Sequence, residues 1–157
     1  MEHLGHKIKM IDHLFKLRMD RNLEQLDLTV TQMHVLIYLF RNSGNKITQK
    51  QLAEYLCVKH STVSGILKRL QEKELIEIRV DEENKKYKNI YTTMKAVQLN
   101  EQMRLHRDKT EALFVKGFSS DELAQLVGYL DRLYNNLLLN SELSDKEIKC
   151  FNKEMKQ

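Results

Sequence analysis

No proline occurs anywhere in the 157 residues, and glycine occurs only five times. Average usage is about 5% proline and about 7% glycine, and these two residues are the main punctuation of turn-rich chains. Their scarcity argues against β-sandwiches, β-barrels, collagen-like repeats and Pro-rich linkers. It favours long helices joined by short connections. The length suits one domain carrying helical extensions, and a hydrophobic content of 41% is enough to build its core.

Without proline stops, helix boundaries must be read from capping chemistry and apolar spacing. Residues 3–24 carry Leu4, Ile8, Ile11 and Phe15 at helical spacing, with Leu14 and Leu17 widening the stripe. Thr29-Val30-Thr31-Gln32 has the form of a capping box, a hydroxyl followed three residues later by Gln. It opens a helix over 30–42 with Val35, Leu36, Leu39 and Phe40 inward. Asn42-Ser43-Gly44-Asn45 is a turn. Thr48 to Gln51 repeats the box ahead of a short helix with Leu52, Ala53 and Leu56 inward, and Val63, Ile66, Leu67 and Leu70 mark a further helix over 61–73. Residues 75–80 and 87–92 are β-rich and flank a polar tip at 81–86, which reads as a hairpin. Helical pattern resumes over 94–116 and stops at Gly117, a C′ glycine. Ser119 to Glu122 is a third box, followed by the stripe Leu123, Leu126, Val127, Leu130, Leu133, Tyr134, Leu137 and Leu138. Ser144 to Glu147 is a fourth, opening a terminal helix with Ile148, Phe151 and Met155.

A net charge of +4 permits a nucleic-acid or anionic-membrane partner without requiring one. No run of 18 apolar residues occurs, and residues 1–7 lack an apolar signal-peptide core, so no membrane association and a cytoplasmic location are expected. Cys57 and Cys150 form no Cys-x-x-Cys and are expected as reduced thiols. The six histidines are scattered, and neither a metal site nor a cofactor is expected. Phosphate loops, dinucleotide fingerprints and nucleophile elbows are missing, so no enzyme is expected.

The informative stretch is 46–93: short helix, tight turn, helix, two-stranded hairpin. That order is a helix-turn-helix followed by a wing, whose second helix normally lies in the major groove. At ~100° per residue, Val63, Ile66, Leu67 and Leu70 share one side of that helix. Ser61, Gly65, Lys68 and Glu72 take the other, flanked by Thr62, Ser64 and Arg69. Small hydroxyls and basic residues approach phosphates and base edges closely. Gly65 lies near the middle of this face, where a helical glycine costs about 0.5–1 kcal/mol relative to alanine. Close approach to DNA would account for it, as would simple tolerance.

The pattern Leu28-Thr29-x-x-Gln32-x-x-Val35-Leu36, then Thr48-x-x-x-Leu52-Ala53-Glu54-x-Leu56-x-Val58, then Ser61-Thr62-Val63-Ser64-x-Ile66-Leu67-Lys68-Arg69-Leu70, then Leu75-Ile76, resembles the multiple antibiotic resistance regulator (MarR) family. The resemblance is densest over 28–93, and the flanking helices agree in order and length. It implies a mainly α (α+β) fold with a winged helix-turn-helix lobe at 28–93. Residues 1–26 and 94–157 would form the dimerisation helices, the whole chain being one domain. It also implies a homodimeric transcription regulator, usually a repressor, that binds double-stranded DNA and often answers to a small-molecule effector.

Carried over residue by residue, the resemblance places His60, Ser61, Thr62, Ser64, Gly65, Lys68 and Arg69 at DNA, with Lys85 and Lys86 on the wing. Phe15, Arg18, Met33, His34 and Tyr38 fall where the family often forms an effector pocket, and ordinary helix packing is the competing reading. Cys57 is a candidate thiol switch, although few basic neighbours lower its pKa. The chain departs from the family at the wing: Asn84 and Lys86 stand where Asp-x-Arg is usual, and Glu74 stands where a glycine usually ends the recognition helix. Glu74 must therefore accept positive φ at a cost, or the helix must end differently. On charge alone, Asp81, Glu82 and Glu83 beside Lys85, Lys86 and Lys88 suit a solvated tip. A winged-helix protein-interaction module without DNA affinity is the alternative.

Overall fold

The computed structural model describes residues 3–140 together with 144, 147 and 148. The elements run α1 (Leu4–Gln25), α2 (Val30–Arg41), α3 (Gln49–Leu56), α4 (His60–Glu72), β1 (Ile76–Val80), β2 (Lys88–Thr92), α5 (Met94–Phe114) and α6 (Ser120–Leu139). They form two compact units, one ending at Arg104 and the other beginning at Leu105. Phe151, Met155 and Cys150 lie outside the described residues, and with them most of the expected terminal helix.

Capping boxes start the helices as the spacing predicts. Gln32 N–H donates to Thr29 Oγ1 at 3.2 Å, and Thr29 N–H donates back to Gln32 Oε1 at 3.1 Å. The same reciprocal pair joins Thr48 to Gln51 (3.4 and 2.7 Å), Ser119 to Glu122 (3.3 and 2.8 Å) and Ser144 to Glu147 (3.4 and 2.9 Å). α5 is capped by Thr93, whose Oγ1 accepts from Ala96 N–H at 3.2 Å and donates to the Glu74 carbonyl at 2.8 Å.

Helix ends are less conventional. Asp27, Cys57 and Glu74 all take left-handed φ, at 51°, 53° and 58°. After α4, Leu75 N–H reaches the Leu70 carbonyl at 2.9 Å and Glu74 N–H the Gln71 carbonyl at 2.8 Å. This is a Schellman motif with glutamate where glycine is favoured. α1 ends the same way, through Leu28 N–H to the Leu23 carbonyl (2.9 Å) and Asp27 N–H to the Glu24 carbonyl (3.1 Å). The chain thus takes the strained option at Glu74. A non-glycine residue there costs about 1 kcal/mol, while the exposed Glu74–Lys95 pair at 3.3 Å returns little. Glu74→Gly is expected to raise the melting temperature by roughly 2–4 °C, checked by thermal unfolding.

α5 ends at Phe114, two residues before the expected boundary, and Gly117 (φ 91°) lies in the turn that follows. The core of the first unit gathers Val35, Leu36, Leu39, Leu52, Val63, Leu67 and Leu70, with Leu75, Ile76 and Ile90 of the hairpin and Ala96 of α5. β1 and β2 pair antiparallel, with Ile78 opposite Ile90. The segment before α3 adds a short third edge: Ile90 N–H donates to the Ile47 carbonyl at 2.9 Å, and Thr48 bridges Asn89. In the second unit, α6 buries none of its residues, and Leu137 is 75% exposed. The N-terminal half of α1 is likewise open, with Leu14 65% exposed. No described helix is long and apolar enough to cross a membrane.

The structure corrects the expectation of a reduced thiol at Cys57. No described cysteine is free: Cys57, in its left-handed position after α3, is disulfide-bonded.

Candidate nucleic-acid interface

α4 turns two chemically different faces outward and inward. Val63, Leu67 and Leu70 are buried, whereas His60, Ser61, Thr62, Ser64, Gly65, Lys68 and Arg69 are all exposed. The seven predicted helix residues therefore share the solvent side of one element. A Cβ added at Gly65 would meet nothing within 4 Å, so no packing among the described residues requires glycine there. The start of α4 also differs from α2, α3 and α6. Its N-cap, Lys59, makes no side-chain cap, where each of those three helices has a complete capping box. The partial positive charge of that helix end is left for an external anion.

The wing is built around a carboxylate that spacing alone does not single out. Asp81, only 7% exposed, accepts from Asn89 Nδ2 at 2.6 Å and from the backbone N–H groups of Glu83 and Asn84 at 2.9 and 3.0 Å. Lys46 lies 3.1 Å from the same carboxylate and 2.6 Å from Glu83. The hydrogen bond from Asn89, then those from Lys46 and the turn amides, hold the Asp81 carboxyl down at about 2, against the smaller opposing effect of burial. Glu83, and secondarily Asp81, hold Lys46 firmly protonated. This network changes the charge balance of the tip. Two of its three carboxylates are engaged at the base, while Lys85 and Lys86 are exposed and make no ion pair among the described residues. Asn84, at the family's aspartate position, caps the tip by accepting from Lys86 N–H at 3.2 Å.

Because the folded pKa of Asp81 is depressed, its stabilisation is fully present above the unfolded carboxyl pKa near 4 and disappears as pH falls toward 2. Asp81→Asn is expected to lower the urea midpoint at neutral pH, and the gap to the parent chain is expected to close between about pH 4 and pH 2. Urea unfolding of both chains across that range checks it.

The five candidate effector residues divide between α1 (Phe15, Arg18) and α2 (Met33, His34, Tyr38). Met33 and Tyr38 pack on the core, and the Tyr38 ring lies 4.3 Å from that of Tyr55. None of the five lines the cavity of about 310 Å³ that opens between α4 and the hairpin, whose walls include Gln49, Leu67, Ile78, Val80 and Lys88. Among the described residues no cluster of three or more His, Cys, Asp or Glu side chains could hold a metal ion.

Lys46, Gln49, Asp81 and Asn89 organise this region without having stood out in the sequence. Their side-chain partners lie 8 to 37 residues away, beyond any helical or strand period.

A helix pair followed by an anchored β-hairpin, with a polar basic face on the second helix, defines the winged helix-turn-helix class. Comparison with known proteins narrows this. The MarR family profile matches residues 26–86. The chain is 30% identical over 114 residues to the uncharacterised helix-turn-helix transcriptional regulator YybA of Bacillus subtilis strain 168, covering 73% of this chain and 75% of YybA. Among solved structures, a point mutant of Staphylococcus aureus MepR superposes with a TM-score of 0.80 at 32% identity, over 86% of this chain and 98% of MepR. The MepR–DNA complex matches with a TM-score of 0.74 at 32% identity, over 85% and 98% of the two chains. MepR bound to ethidium bromide matches at 0.68 and 32%, over 86% and 96%. The chain belongs to the MarR family of transcription regulators.

Proposed function

We propose that the chain acts as a homodimeric repressor that reads a pseudo-palindromic operator and is released by a small-molecule effector. The observation that carries DNA contact is the exposed face of α4, polar and basic, with an uncapped N-terminus and a glycine no internal packing requires. Lys68, Arg69, Lys85 and Lys86 would neutralise phosphates, and Ser64 and Thr62 would lie nearer the base edges. The MepR–DNA complex supports this reading. Dimerisation is supported by the apolar faces left open on α1 and α6, since soluble monomers seldom expose contiguous apolar patches of that kind. Two copies would present two α4 helices to half-sites about 34–36 Å apart. The ethidium complex of MepR supports a ligand response, with Phe15, Arg18, Met33, His34 and Tyr38 as the candidate contacts. A cytoplasmic location follows from this role.

Binding to random duplex at low salt, followed by selection from a random duplex pool, tests the proposal. Recovery of a two-half-site motif is the expected result. Failure to bind any duplex would favour the protein-interaction module. Gly65→Ala gives a second test with opposite signs. The fold is expected to gain about 0.5–1 kcal/mol, because a helical glycine is replaced without a clash. Duplex affinity is expected to fall, because a methyl group then stands between backbone and groove.

A further inference from the structure

A side chain from α3 reaches the exposed face of α4. Gln49, the first residue of α3, donates from Nε2 to the His60 carbonyl at 3.0 Å, approaches His60 Nδ1 at 3.2 Å, and hydrogen-bonds Ser64 Oγ. A carbonyl oxygen only accepts, so the amide nitrogen of Gln49 must face this side. Ser64 Oγ itself donates to the His60 carbonyl at 3.2 Å. A hydroxyl owns one hydrogen and two lone pairs. Here the hydrogen goes to His60 and one lone pair receives Gln49. One acceptor position is left.

We infer that Gln49 makes Ser64 an acceptor-only reader, so that the base facing Ser64 in each half-site is selected for an exocyclic amine, cytosine N4 or adenine N6. The inference rests on α4 entering the major groove. An unrestrained serine hydroxyl rotates to donate or accept and tolerates any base. In the major groove the donors are cytosine N4 and adenine N6, while guanine and thymine show only acceptors and the thymine methyl. A hydroxyl whose hydrogen is already spent finds no partner on guanine or thymine. Gln49 is thus a positioning residue, acting on DNA through Ser64.

The backbone that carries Gln49 is itself held. Thr48 caps α3 and bridges Asn89, the Ile47 carbonyl accepts from Ile90 N–H, and Lys46 pairs with Asp81 and Glu83. Residues 46–49 therefore form a strap joining the wing on one side to the recognition helix on the other. The amide of Gln49 is delivered to Ser64 from a rigid base.

The test compares the parent chain, Gln49→Ala and Ser64→Ala, each by binding to random duplex at low salt and by selection from a random duplex pool. The parent is expected to prefer adenine or cytosine by roughly fivefold at one position of each half-site, the scale of one hydrogen bond. Gln49→Ala is expected to keep its melting temperature, random-duplex affinity and salt slope while that preference falls to less than twofold. Ser64→Ala is expected to lose preference at the same position, and the double variant to lose no more than either alone. A preference for guanine or thymine there, or a preference that survives Gln49→Ala, overturns the inference and leaves DNA binding standing. Equal loss at every position, with weaker random-duplex binding, would show a merely structural Gln49 and also overturns it. Failure of the parent to bind any duplex overturns the DNA reading itself, and the inference with it.

Discussion

Replacing Leu130 with glutamate is expected to convert the proposed homodimer into an 18.7 kDa monomer and to weaken binding to a two-half-site duplex at least about 100-fold. α6 carries Leu123, Leu126, Val127, Leu130, Leu133, Tyr134 and Leu137 at helical spacing, yet buries none of them. Leu130, at the middle of the helix, is 49% exposed, so a charge there costs the isolated chain little. In a two-fold interface the same substitution enters twice, each carboxylate desolvated against an apolar partner surface. Once the protomers separate, the second half-site must be found from solution instead of from a tethered neighbour. That change alone accounts for a loss of about 100-fold or more. Size-exclusion chromatography with light scattering reads the assembly, and titration of one- and two-half-site duplexes reads the affinity. A variant that stayed dimeric with full operator affinity would remove α6 from the interface. Retained helical circular dichroism is expected in either case.

How much of this was legible before the structure depends on the range of the chemistry involved. Thr29, Thr48 and Ser119 announced helix starts because a capping box is complete within three residues. The inner face of α4 was legible because Val63, Leu67 and Leu70 recur at the helical period. The family resemblance then supplied the proposed role of the outer face. What stayed hidden depends on tertiary distance. Asp81 looked like one of three acids diluting a basic tip, and only its contacts with Asn89 and Lys46 reveal it as the base of the wing. Gln49 looked like the second residue of a capping box, and nothing local links it to Ser64, 15 residues on. The scarcity of glycine also proved less informative about helix ends than it promised. Asp27, Cys57 and Glu74 take left-handed conformations without it, at an energetic cost that packing and Schellman hydrogen bonds offset.

Adjacent residues of α4 should respond to alanine in opposite ways. Leu67 is 2% exposed and packs in the cluster with Leu36, Leu52, Val63 and Leu70. Truncating it removes buried methyl groups and leaves a void, which costs about 3 kcal/mol. Against a total stability of about 5–15 kcal/mol, that is a large fraction, and the urea midpoint is expected to fall with little change in slope. Lys68 is the next residue, with 78% of its side chain exposed and only a 3.9 Å contact to Glu72 to lose. An exposed pair of this kind is worth about 0.3–0.5 kcal/mol, so Lys68→Ala is expected to leave the urea midpoint almost unmoved. Its effect is expected on DNA binding instead. A lysine on a phosphate displaces a counterion, so its loss lowers affinity alike for all sequences and reduces the slope of log K against log salt by about one per protomer. Lys86→Ala, on the wing, is expected to behave as Lys68→Ala does. If neither lysine alters the slope, both are outside the interface. If Leu67→Ala leaves the midpoint unchanged, the buried face of α4 does not hold the lobe together. The crossed result, stability lost at Leu67 and salt dependence lost at Lys68, requires one helix anchored on one side and reading DNA on the other.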